Sequence, residues 1–148
     1  MDKKDFKKAL EDVLSQYGFK YYNKEKTYYH HSDGLIVAVD VQKSNFADYY
    51  YINYGFRIVG QDNEVKFPKV YNGCDIQLRF IFEHDGERTD NIHIDVLDKE
   101  SFYELAKQFI EAKVFPVMSN GITELFKVDP DAVSYFKLRG KRLLGIPE

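Results

Sequence analysis

Tryptophan is absent from this 148-residue chain, cysteine occurs once, and no apolar run approaches the roughly 18 residues of a membrane-spanning helix. A single Cys74 excludes an intramolecular disulfide and argues against a cysteine-based metal cluster, so a reducing compartment fits. The opening MDKKDFKKALEDVL is charged throughout and lacks the apolar core of a secretory signal. The expected location is therefore cytoplasmic, with no membrane attachment. Basic charge is not in excess either. The 24 acidic and 21 basic residues leave a net charge of −3, so no global field draws the protein to duplex nucleic acid or anionic lipid. Gly-rich phosphate loops, GxSxG and HExxH do not occur, and there is no internal repeat, low-complexity tract or linker. A chain of this length without a linker is expected to be one domain over 1–148, with a single core.

Aromatics are plentiful, as twelve Tyr and twelve Phe, which suits strands and leaves amphipathic rings near the surface. The stretch Leu35 to Ile58, LIVAVDVQKSNFADYYYINYGFRI, organises the chain. Leu35, Val37, Val39 and Val41 alternate with Ile36, Ala38, Asp40 and Gln42. Then Tyr50, Ile52, Tyr54, Phe56 and Ile58 alternate with Tyr49, Tyr51, Asn53, Gly55 and Arg57. A period of two puts the first set of each run on a buried face and the second on an open one. The short polar connection from Lys43 to Asp48 predicts an antiparallel hairpin. A first hairpin is read from Phe19–Asn23 and Thr27–His31. Asp75–Glu83 alternates again as one strand, and Ile92 to Leu97 reads as a shorter one. The long connection from Val59 to Cys74 is read as mobile or functional rather than a plain link, and as part of the surface that contacts a partner.

Phe6, Leu10, Val13, Leu14 and Tyr17 predict an amphipathic first helix with Gly18 as its left-handed cap. Asp98 is an N-cap for a helix carrying Phe102, Leu105, Ala106, Phe109, Ile110 and Val114, which Pro116 should end or kink. Asp129-Pro130 starts a last helix to about Leu138, stopped by Gly140. This order predicts an α+β fold: an antiparallel sheet of about six strands in a meander, with the N-terminal helix and C-terminal helices packed on one face.

Four short motifs carry a further likeness: the helix ending in Tyr17-Gly18-Phe19, then Val41-Gln42-Lys43-Ser44, Ile52-Asn53-Tyr54-Gly55, and the late helix interrupted by Pro116. On these the chain resembles a bacterial family catalogued as domain of unknown function 4304. The resemblance covers most of the chain and implies a soluble bacterial domain. It brings no established activity to transfer onto named residues.

The open sheet face supplies the candidate binding residues: Asp40, Gln42, Tyr49, Tyr51, Asn53, Arg57, Arg79, His93 and Asp95. Tyr49 and Tyr51 near Arg57 match the Tyr and Arg enrichment of protein interfaces, whereas the Tyr run lacks the interleaved Arg and Lys of a single-strand nucleic-acid platform. The leading expectation is a non-enzymatic protein-binding module, toxin neutralisation being one form of it, with a second copy of the chain as another conceivable partner. The alternative is a small enzyme or ligand binder centred on Asp40, Arg79, His93 and Asp95, since a carboxylate beside Arg or His can do acid-base work. No cofactor and no metal is expected. His30 and His31 point to opposite faces, and the set of His93, Asp95, His84 and Asp40 matches no ligand motif, so surface polar pairs account for them better. Cys74 reads as a small, partly buried hydrophobe.

Overall fold

The chain is described here from a computed structural model covering residues 1–60 and 65–148. It opens with α1 (Lys3–Gln16), started by the Asp2 side chain, which accepts from the Asp5 N–H at 2.7 Å. Its inner stripe Phe6, Ala9, Leu10, Val13 and Leu14 is fully buried, and Gly18 follows at φ +85°, a conformation that suits only a residue without Cβ.

Four strands come next: β1 (Lys20–Tyr22), β2 (Thr27–His31), β3 (Leu35–Lys43) and β4 (Tyr49–Ile58), each antiparallel to its predecessor. The short helix α2 (Val70–Gly73) lies in the following connection, of which positions 61–64 fall outside the described residues. Then β5 (Ile76–Arg79) pairs with β4 through Asn53↔Arg79 to Phe56↔Ile76. The single strand expected over Asp75–Glu83 breaks at Phe80. Continued in register, Phe82 and Glu83 would lie opposite Tyr50 and Tyr49, and those positions on β4 are taken by Ile92 and His93 of β8 (Ile92–His93). The chain therefore leaves the sheet, forms a separate hairpin of β6 (Phe82–His84) and β7 (Glu87–Thr89), and returns. The strand expected from Ile92 to Leu97 is cut to two residues, and Ile94 onward is a turn. The result is a six-stranded antiparallel sheet ordered β1-β2-β3-β4-β5, with β8 sharing the β4 edge.

Helices close one face. Asp98 caps α3 (Lys99–Phe109), accepting from the Ser101 N–H at 2.7 Å. Pro116 does not stop this helix. A π-helical turn over Ile110–Val114 precedes it, and α4 (Phe115–Asn120) takes Pro116 into its first turn, where no N–H is needed. Then come α5 (Leu125–Val128), a 3-10 stretch over Pro130–Tyr135 in place of the expected α-helix, and α6 (Leu138–Leu144). Gly140, expected as a stop, lies buried inside α6. A Cβ there would sit 2.8 Å from the Phe136 ring and 3.0 Å from Asp75 Cβ, so only glycine permits this approach, and the left-handed cap is Gly145. Between helices and sheet lies the main core, with Phe6, Leu10, Val37, Ile52, Tyr54, Phe56, Phe80, Phe102 and Ile110 at its centre.

The other face is not uniformly open. Ile36 and Ala38, read as exposed, are buried with Tyr29, Val70 and Cys74 in a second cluster. The connection after β4 packs down on the sheet there instead of standing off as a loop. Gly55 makes this possible: a Cβ on it would be 2.8 Å from Cys74 Cβ and 2.7 Å from the Ile76 carbonyl. Burial pushes the Cys74 thiol up to about 12, so it is an inert hydrophobe.

Candidate functional site

The uncovered half of the outer face begins where Asp40, Gln42, Tyr51 and Asn53 face out from the β3–β4 hairpin and Arg79 faces out from β5. The registers Asp40↔Asn53, Gln42↔Tyr51 and Asn53↔Arg79 place these side chains next to one another. Asn53 is the hub. Its Nδ2 donates to Asp40 Oδ1 and to Gln42 Oε1, both at 3.0 Å, and its Oδ1 accepts from Arg79 Nε at 3.0 Å. Ringed by these neighbours, Asn53 is only 4% exposed, a correction to its reading as a surface residue.

Arg79 is held on every side. Beyond Asn53, one terminal nitrogen donates to Asp90 Oδ2 at 3.2 Å and the other to Gln42 Oε1 at 3.4 Å, while the guanidinium carbon lies 4.1 Å from the centre of the Tyr51 ring. The Arg79–Asp90 ion pair is partly exposed, so its worth is in fixing geometry more than in stability. Burial raises the Asp40 carboxyl above its ordinary value, opposed by the Asn53 hydrogen bond and the charge of Lys69.

The remaining candidates lie elsewhere. Tyr49 and His93, opposite one another on β4 and β8, meet in a tilted ring contact with centres 3.9 Å apart, four positions along β4 from Asn53 and thus about 13 Å away. Asp95 is exposed in the turn after β8 and shares no strand face with His93. Arg57 belongs to the covered half, where it donates to the Gly73 carbonyl at 2.7 Å. Hence Asp40 and Arg79 meet through Asn53, while His93 lies further along β4 and Asp95 in the turn that follows it. His30 and His31 do point apart: His30 packs against Phe19, and His31 Nε2 contacts the Lys66 carbonyl at 2.6 Å. Among the described residues no group of three or more His, Cys, Asp or Glu is placed to hold a metal ion. No helix among them is long and apolar enough to cross a membrane.

Two participants escaped the sequence. Asp90 lies in a turn with no pattern tying it to Arg79. Phe46, at the tip of the β3–β4 hairpin, is 98% exposed, and its signal was legible: an aromatic alone within the polar run KSNFAD.

Comparisons with curated proteins and with solved structures gave no match. A family model does match, over residues 10–120, from within α1 to the end of α4, and so takes in the whole sheet and every member of the Asn53 network. The family's description names no activity, and by this match the chain belongs to the domain of unknown function family DUF4304.

Proposed function

We propose that this protein is a small bacterial cytoplasmic module that binds a protein partner through the uncovered half of its outer sheet face. The observation that carries the reading is the Arg79 guanidinium, fixed by Asn53, Asp90 and Gln42 and laid over Tyr51 on an open surface. Arginine and tyrosine dominate binding hot spots, and a side chain already held in place gives up little further entropy on association. Phe46 adds a solvent-facing apolar ring at the tip of the same hairpin, and the Tyr49–His93 ring contact extends the same strand face. The alternative of a small enzyme needs Asp40, Arg79, His93 and Asp95 together, and the offset of His93 by about 13 Å along β4 from Asn53 weighs against it. The narrower expectation of a toxin partner rests on no residue of this face.

Affinity capture from bacterial cytoplasmic extract tests the reading with three baits: wild type, Tyr51→Ala and Phe46→Ser. A partner retained by wild type should fall at least tenfold with either variant while thermal melts stay unchanged. Retention of the same protein by all three baits, or of none above bare matrix, overturns it. A second copy of the chain acting as the partner would appear as a dimer that Tyr51→Ala dissociates.

A further inference from the structure

Beyond β5 the sheet ends at a groove of about 1050 Å³, walled by β5, the β6–β7 hairpin, α3 with its π-helical turn, and the 3-10 stretch at Pro130–Tyr135. Its strand wall is unsatisfied. Phe80 N–H donates to the Ile52 carbonyl, so by antiparallel alternation Ile76, Leu78 and Phe80 turn their backbone groups toward β4, and Gln77 and Arg79 turn theirs outward. The neighbouring outward carbonyl, that of Asp75, accepts from Lys137 N–H at 2.8 Å. Among the described residues no group meets the outward N–H and C=O of Gln77 and Arg79.

A second observation is independent of the strand. Tyr54, 1% exposed and wedged among Phe56, Phe80 and Phe109, reaches the groove, and its hydroxyl has no hydrogen-bond partner among the described residues. The far wall carries Asp129 and Asp131, neither of them in a salt bridge among the described residues, while Lys113 donates to the Val128 carbonyl. Leu78, Leu105, Phe109 and Ala132 supply an apolar bed.

We infer that this groove binds an extended peptide segment as an added strand on β5, one apolar side chain lying over Leu78 and Phe109 and a Lys or Arg directed to Asp129 and Asp131. Main-chain pairing with Gln77 and Arg79 supplies affinity, and alternate side chains supply choice. The inference rests on the protein-binding reading above; the groove adjoins the outer face at Arg79 and Asp90, which line both, while Tyr51 is not among the residues lining the groove.

A phage-displayed library of random heptapeptides, selected on the full chain, provides the probe. Enriched peptides should pair an apolar with a basic residue. Gln77→Pro removes an outward donor that the β4 ladder does not use, and Ala112→Trp fills the groove from the exposed side of the π-helical turn. Each should lower peptide affinity at least tenfold with little change in melting temperature, and Tyr51→Ala should leave affinity alone. Hydrogen exchange at Gln77 and Arg79, fast in the free protein, should slow on peptide binding. The inference fails if no peptide is enriched, if both variants bind like wild type, if those two amides stay fast, or if β5 proves to pair with β5 of a second copy. Peptides lost to Tyr51→Ala but not to Gln77→Pro would sink the groove and leave the outer-face reading standing; loss with Gln77→Pro alone supports the groove and leaves the outer face to be decided by the affinity capture.

Discussion

Asn53 uses both amide hydrogens and its carbonyl oxygen on neighbours, whereas Gln42, one of those neighbours, is exposed. The two amides therefore part company under substitution. Asn53→Ala removes the donor to two oxygens and the acceptor of Arg79 Nε in a buried position, and should cost about 2–3 kcal/mol in urea unfolding. Gln42→Ala should stay within about 1 kcal/mol. Equal effects would show that the network has no hub. For Asp40 the sign follows from its raised pKa. The native state holds that proton more tightly than the unfolded chain, so the group's contribution is full below the ordinary value of 3.8 and is lost as pH rises through the higher native one. Asp40→Asn, which can still accept from Asn53, should melt at or above wild type at pH 7, and that advantage should shrink below about pH 4. A difference constant with pH would mean that Asp40 carries no such burden.

At the scale of elements, β3 and β4 were legible because their alternation is long and the core takes one face. Val37, Val39, Ile52 and Tyr54 are buried within two-sided ladders, and their amides should be among the slowest to exchange; fast exchange there would place the most stable unit elsewhere. The same alternation misjudged Ile36 and Ala38, because their cover is Val70 and Cys74, contributed by a connection more than thirty residues on, and periodicity records only one burial direction. It also ran β5 past Phe80, since competition from Ile92 and His93 for β4 is not written locally. Of the site, the proximity of Gln42 and Asn53 could be anticipated from a short hairpin. The arrival of Arg79 needed the β4–β5 register, and the scattering of His93 and Asp95 followed from a strand two residues long. Gly140 was misread for a related reason: glycine serves a cap and a close helix contact equally well, and only the contact with Asp75 distinguishes them.

For the whole molecule, the C-terminal helix is joined to the sheet by a charge. Asp75, 2% exposed, accepts from the Ile58 N–H at 2.8 Å and from Arg139 at 3.0 and 2.7 Å, linking residues 64 apart. Asp75→Ala should cost roughly 3 kcal/mol in chemical denaturation, because the Arg139 guanidinium loses its carboxylate, keeping the Ile58 carbonyl, while the Ile58 N–H loses its acceptor; a loss below about 1 kcal/mol would make the bridge incidental. The π-helical turn has a different kind of consequence, one of chain length. From Phe102 through Ala106 and Ile110 to Val114 the buried residues recur every four positions, and three such steps in a regular α-helix would carry Val114 about 120° past Phe102. The wider turn takes up that excess, as a one-residue insertion in an ordinary helix would. Deleting Ala112 would leave Val114 three positions from Ile110, still on the inner stripe of an unbroken α-helix, and would withdraw one wall of the groove. Such a shortened chain should fold, by circular dichroism, and fail to hold a peptide, which makes a single codon the difference between a fold that is kept and a surface that is lost.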